Sequence, residues 1–224
     1  MAASETGMIM GAVKFFQDGG AWMWPILFVF IAGLAIVLER FFYLQSITGK
    51  NKKTWDELFP LLSKGQFKQA MEAIKGSDTF MAQIIGAGIA RAGVSRRSED
   101  IEMAMEENLM EVLPRLEQRT PYVATLANIA TLLGLLGTIV GLIEAFGAIS
   151  SADPAQKAEL LSSSISVAMN TTAFGLIAAI PLILAFTYLQ SKTAKTVESM
   201  EMATVKFVNI YRQLSAAAEK NQGA

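Results

Sequence analysis

Asn128 to Phe146 reads NIATLLGLLGTIVGLIEAF, apolar enough for lipid yet interrupted by small residues at a helical period. Plotted on a helix, Ala124, Ala127, Thr131, Gly134, Thr138, Gly141, Ala145 and Ala148 recur at alternating steps of three and four and form one seam down a single face. Lipid tails are as apolar as leucine, so helices in a membrane associate by close packing of Gly, Ala, Ser and Thr rather than by a hydrophobic drive. The stretch is therefore expected to span a membrane with another helix laid along its seam. Thr138 can do more than pack: in hydrocarbon its hydroxyl must bond either its own backbone four residues back or a group across the interface.

The rest of the composition agrees with a membrane setting. The 224 residues are 52% hydrophobic and 17% charged with a mean hydropathy of +0.38, outside the range of ordinary soluble domains. A formal net charge of -1 leaves no footprint for nucleic acid, so the expected partners are helices and membrane lipid. The chain has no Cys and no His, which removes thiolate chemistry, the commonest metal ligand and the usual general base near neutral pH. No Gly-x-x-x-x-Gly-Lys loop or Gly-x-Ser-x-Gly elbow is present either. An enzyme is not expected, nor a catalytic residue, a cofactor or a metal site, and any energy used is expected to come from a gradient.

Working outward, the chain reads as an all-α integral membrane protein with three transmembrane helices and long cytoplasmic helical extensions. Residues 1–18 place Met8, Ile9, Val13, Phe15 and Phe16 on one face, as in an interfacial helix on the membrane surface. Gly19 to Leu38 carries no charge and is long enough to cross, with Trp22 and Trp24 at one end and Phe41, Phe42 and Tyr43 at the other, giving a first span over 19–43. Residues 44–119 form a helical loop in which Ser98 is a candidate N-cap. The helix it opens carries Ile101, Met105, Leu109, Val112 and Leu116 as one stripe, with a bend expected near Pro114 or Pro121. The second span is assigned to 120–146, a link to 147–163, the third span to 164–191 and a C-terminal helix to 192–224.

Basic residues mark the cytoplasmic side. Residues 39–119 hold 12 of the 19 Lys and Arg and the tail from Lys192 holds five, against one each in the N-terminal segment and the link. The N-terminus and link are thus expected outside, the loop and tail inside. The third span carries Asn170, Thr171 and Thr172, and Thr172 shares a face with Ser164, Ala168, Gly175 and Ala179 as a second small-residue seam. Rings of Thr138 and Thr172 can line a pore in an oligomer, or the same hydroxyls can serve as interhelical glue. A proton path needs a titratable carrier such as Asp, Glu or His at depth, and the chain has none there, because Glu144 falls at the outer end of span two.

Several of these stretches together resemble the MotA/TolQ/ExbB proton-channel family, most closely its three-span TolQ/ExbB branch. The carriers are Trp24-Pro25, Leu38-Glu39-Arg40, Leu133-Gly134-Leu135-Leu136-Gly137-Thr138, and Thr171-Thr172-Ala173-Phe174-Gly175-Leu176 through Ala179-Ile180-Pro181. The resemblance implies a homo-oligomer, a pentamer, around a pore lined by spans two and three. That pore would enclose a dimer of a single-span ExbD/TolR-like protein that supplies the missing aspartate, with a TonB/TolA-like protein as a further partner. Thr138 and Thr172 match the family's pore threonines, and Asn170, Thr171 and Thr131 are placed with them on the proton pathway. The location implied is the bacterial inner membrane. Two departures stand out: Val167 replaces the glutamate five residues before the span-three threonine, and Thr131 replaces a proline before the Leu-Gly-Leu-Leu-Gly-Thr stretch. Alternatives are a non-conducting scaffold for partner helices and a MotA-like stator for motility. A stand-alone transporter is disfavoured by the few spans and the lack of an internal repeat.

Overall fold

The protein was analysed as a computed structural model that describes residues 10–11, 13–151 and 153–222. Every regular element among the described residues is an α-helix: α1 (Met23–Ser63), α2 (Phe67–Ile74), α3 (Phe80–Ala92), α4 (Ser98–Glu117), α5 (Thr120–Ser151) and α6 (Lys157–Gln222). Residues 13–18 are also helical. Three helices are long and apolar enough to cross a membrane, and they include α1, α5 and α6. The chain divides into two compact units, one of Met1–Glu39 with Arg119–Tyr188 and one of Arg40–Gln118 with Leu189–Ala224.

The apolar unit is built from the first part of α1, all of α5 and the first part of α6. Its centre is made largely of small side chains, with Val123, Ala127, Ala130, Ala178 and Ala179 packed between Ile26 and Leu182. Small residues let backbones approach where lipid supplies no hydrophobic drive. Gly33 shows how close α1 comes to α6, since a Cβ there would lie 2.8 Å from Leu182 Cδ1. Pro25 falls in the first turn of α1, where a missing N–H costs least. Ahead of it, Gly19 and Gly20 make a turn that needs a positive φ at Gly20 (76°). This turn seats Phe16 edge-on against Phe174 and Trp24, at 5.6 and 5.1 Å between ring centroids. Phe15 and Phe16 are thus half-buried on α6 while Val13 is exposed. Met8 and Ile9, and the rest of the expected interfacial helix before residue 10, lie outside the described residues.

The second unit is a helical body with a conventional apolar core. Leu58, Leu62, Ile84, Ile85, Ile101, Met105, Leu116 and Phe207 are almost completely buried. The α4 stripe is inward as its period requires: Ile101, Met105, Val112 and Leu116 are buried and Leu109 is half-buried. Asn51 crosses this core as an acceptor for the Met81 N–H at 3.3 Å. Thr79 caps α3 by accepting the Ala82 N–H at 3.3 Å.

Two local expectations are corrected. Ser98 is the first helical residue of α4 rather than its N-cap. The cap position falls on Arg97, and Ser95 ties the turn by donating to Asp100 Oδ2 at 2.6 Å. The break between α4 and α5 lies at neither proline. Pro114 is absorbed within α4, and the chain turns at Gln118 and Arg119, where Arg119 adopts φ 65°. That left-handed conformation costs a non-glycine residue about 1 kcal/mol. The Arg119–Glu39 ion pair at 3.4 Å offsets part of it.

Candidate functional site

The seam of α5 meets the seam of α6 within one chain. A Cβ on Gly175 would lie 2.8 Å from Ala130 O and 3.0 Å from Gly134 Cα, and one on Gly134 would lie 3.2 Å from Gly175 Cα and Thr171 O. The two backbones therefore touch at this crossing. Further up, a Cβ on Gly141 would lie 3.3 Å from Ala168 Cβ, and Ala179 is buried in the core below. Gly134, Gly141, Ala168 and Gly175 thus meet in one helix pair, while Ala179 lies in the core shared with Ile26 of α1.

The close approach brings Thr138 and Thr172 into direct hydroxyl contact. Thr138 Oγ1 also reaches Gly134 O at 3.1 Å and Ala168 O at 3.3 Å, while Thr172 Oγ1 reaches Gly134 O at 3.0 Å. The hydroxyl of Thr138 is therefore within reach of acceptors both on its own helix and across the interface. Each threonine has one proton to give. One proton is used between the two hydroxyls and the other on a backbone carbonyl, whichever oxygen donates. What remains facing outward is lone pairs, and both side chains are only half-buried.

The other sequence-predicted residues distribute differently. Thr171 is 1% exposed and points to the start of α1, donating to Gly19 O at 2.9 Å or to Val167 O at 3.0 Å, so it does not join the pair. Asn170 is half-buried two residues before Thr172, about 200° round the helix and on its far side. Thr131 is half-buried and bonds its own backbone at Ala127 O, 3.2 Å away. Glu144 is exposed six residues beyond Thr138, about 120° from its face. Val167 stands beside Gly20, whose Cβ would lie 3.3 Å from Val167 Cγ1.

One residue that matters here was missed. Gly137 packs on Trp22, where a Cβ would lie 3.1 Å from Trp22 Cβ and 2.4 Å from Thr171 Cγ2. Its place between Gly134 and Thr138, off the seam by one step, was the available signal. This contact sets Thr138 level with the beginning of α1. Some 13 residues of α5 continue past it to Ser151, about 20 Å of helix. Among the described residues no group of acidic or Cys side chains could hold a metal ion.

Comparison with known proteins places the sequence in a family. The MotA/TolQ/ExbB proton channel family matches residues 70–202. A biopolymer transport protein ExbB homologue of Methanothermobacter thermautotrophicus is 28% identical over 192 residues, covering 85% of this chain and 67% of the relative. A biopolymer transport protein of the ExbB-like type from Synechocystis is 24% identical over 207 residues, covering 92% of this chain and 98% of its own length. The Tol-Pal system protein TolQ of Haemophilus influenzae is 37% identical over 83 residues, covering 37% of this chain and 36% of that protein. With a family match over more than half its length and relatives of both ExbB and TolQ type, the chain belongs to the MotA/TolQ/ExbB proton channel family, on its TolQ/ExbB branch.

Proposed function

We propose that this chain is the proton-channel stator subunit of an inner-membrane motor that couples proton motive force to mechanical work on the cell envelope. The observation that carries the reading is the Thr138–Thr172 hydroxyl contact, set in helices that hold no Asp, Glu, Lys or Arg from Thr120 to Ile143 or from Leu160 to Ser191. Polar groups within a membrane span are expensive and favour a wet path or an interface. Hydroxyls solvate a proton carrier without being one, so the carrier comes from outside: an aspartate on a dimer of a single-span ExbD/TolR-like partner, enclosed by five copies of this chain. With both hydroxyl protons engaged internally, the pair presents lone pairs to a protonated carboxyl and must surrender an internal bond to donate to a carboxylate. Discrimination between the two states of the carrier follows from that asymmetry. The process served is energised outer-membrane transport or envelope maintenance, and the names biopolymer transport protein and Tol-Pal system protein carried by the relatives support that range.

The test is to purify the chain from its native membrane in mild detergent, weigh the intact complex and identify its companions. Five copies with two of a small single-span protein carrying an intramembrane aspartate support the proposal; a homo-oligomer alone, found repeatedly, removes the proton carrier and sinks it. Thr138→Val and Thr172→Val should then abolish the driven function while the complex still assembles. The engagement of both hydroxyl protons within the hairpin favours a second reading, a non-conducting scaffold. That reading requires function to survive collapse of the proton gradient.

A further inference from the structure

The unit formed by Arg40–Gln118 and Leu189–Ala224 contains a cleft of about 300 Å³ with an unusual gathering of cations. Lys52 comes from α1, Lys192 and Lys195 from α6, and Thr48, Trp55, Met81, Thr196 and Ser199 complete the lining. None of the three lysines takes part in an ion pair among the described residues, and the lining holds no Asp or Glu. Bringing like charges to one cleft without a carboxylate is unfavourable unless an anion neutralises them.

The floor of the cleft narrows the choice of anion. Thr48 Oγ1 contacts Thr196 Oγ1 at 2.9 Å, and both hydroxyls reach their own backbone carbonyls, Leu44 O at 2.8 Å and Lys192 O at 2.9 Å. Ser199 likewise bonds Thr196 O at 2.7 Å. These hydroxyls are committed, so the free donors are the three ammonium groups, each with three N–H bonds. Compact point charges on flexible stems suit a tetrahedral oxyanion better than a planar carboxylate, for which the Arg fork is the match. Trp55 and Met81 supply an apolar wall. Lys192 is also the first charged residue after the run from Leu160 to Ser191, the position at which a helix leaves the apolar layer and headgroups begin.

We propose that Lys52, Lys192 and Lys195 form a binding cleft for a phosphate group, supplied by an anionic phospholipid headgroup or by a phosphate in solution. Trp55 is the built-in reporter. The full-length protein in a zwitterionic detergent is titrated with short-chain phosphatidylglycerol, with phosphatidylcholine of the same chain length, and with inorganic phosphate. The signal is the part of the fluorescence change that Trp55→Phe abolishes. A saturable response to phosphatidylglycerol and none to phosphatidylcholine is expected. It should weaken roughly a hundredfold in the triple variant Lys52→Gln, Lys192→Gln, Lys195→Gln, at about fivefold per lysine. The matched variant Lys50→Gln, Lys64→Gln, Lys68→Gln removes the same charge elsewhere and should bind within about twofold of the parent, an estimate from the weakness of screened surface charges. Saturation by inorganic phosphate alone, lost in the first triple variant, supports the same cleft with a soluble ligand. No saturable response to either probe, or equal losses in the two triple variants, overturns the proposal.

Discussion

Gly175→Ala is the sharpest probe of the helix crossing. The new methyl would meet Ala130 O at 2.8 Å and Gly134 Cα at 3.0 Å, both backbone atoms that cannot rotate aside. Ordinary contact begins at about 3.4 Å, so α5 and α6 must part by roughly half an ångström, and overpacking of this kind costs about 1–3 kcal/mol. The Thr172–Gly134 O bond at 3.0 Å would stretch beyond useful length, and such interhelical bonds average about 0.6 kcal/mol. The gain in helix propensity from Gly to Ala, about 1 kcal/mol, works in the opposite direction. Gly49→Ala in α1 and Gly147→Ala in α5 share that gain with nothing within 4 Å of the added carbon, and so cancel it in comparison. Gly175→Ala should therefore fall about 2–3 kcal/mol below either control, adding the two costs above. Reversible unfolding in mixed micelles of increasing denaturing detergent measures the difference. Equal midpoints for Gly175→Ala and Gly49→Ala would refute backbone contact at the crossing.

Four further outcomes are expected. The double variant Gly175→Ala, Thr172→Val should lose less stability than the two single losses added, because parting the helices already breaks the Thr172 bonds; strict additivity in the unfolding cycle would argue against that coupling. Thr171→Val removes a buried donor to Gly19 O and should cost about 1–2 kcal/mol, with Thr171→Ser close to the parent; the same unfolding assay checks both. Arg40 is 2% exposed, donates to Leu116 O and lies 4.4 Å from the centre of the Tyr43 ring, so Arg40→Met should cost about 2–4 kcal/mol, and a melt unchanged from the parent would contradict it. Asp100 accepts from Ser95 and lies near Arg91 and Arg97, which hold its carboxyl below the ordinary value against the opposing effect of burial. A lowered folded pKa gives a contribution that is complete above about pH 4 and lost as pH falls through the folded value, so Asp100→Asn should flatten that part of the acid unfolding curve.

Period and composition made the α5 and α6 seams legible before any coordinates, because small residues spaced by three and four can only collect on one helical face. The same rule separates Thr171 from Thr172 by about 100° without saying which of them meets α5. Gly137 decides it: its missing Cβ admits Trp22 and the Thr171 methyl, which turns Thr171 toward α1 and leaves Thr172 for Thr138. The α4–α5 break was harder still, since two prolines advertised it and an arginine with φ 65° made it. Proline in the first turn of a helix is harmless, and the preference of a non-glycine residue for positive φ is a matter of its surroundings, here Glu39. Ser98 lies one residue inside the helix rather than at its cap, and the turn before it is tied by Ser95 donating to Asp100.

The glycines and the threonines are therefore one arrangement rather than two. Gly134 O lies within 3.1 Å of both hydroxyls, so it can take the remaining proton from whichever of the two does not donate to the other. It is reachable from α6 only because neither Gly134 nor Gly175 holds the helices apart. A pair of threonines on helices separated by ordinary side chains would each bond its own backbone and present nothing jointly, as Thr131 does with Ala127 O. At the crossing the two are brought together instead, level with the start of α1 and with both protons engaged. Helix packing thus sets the chemistry offered there: acceptor oxygens in an apolar surround, with no charge of the helices' own from Thr120 to Ile143 or from Leu160 to Ser191.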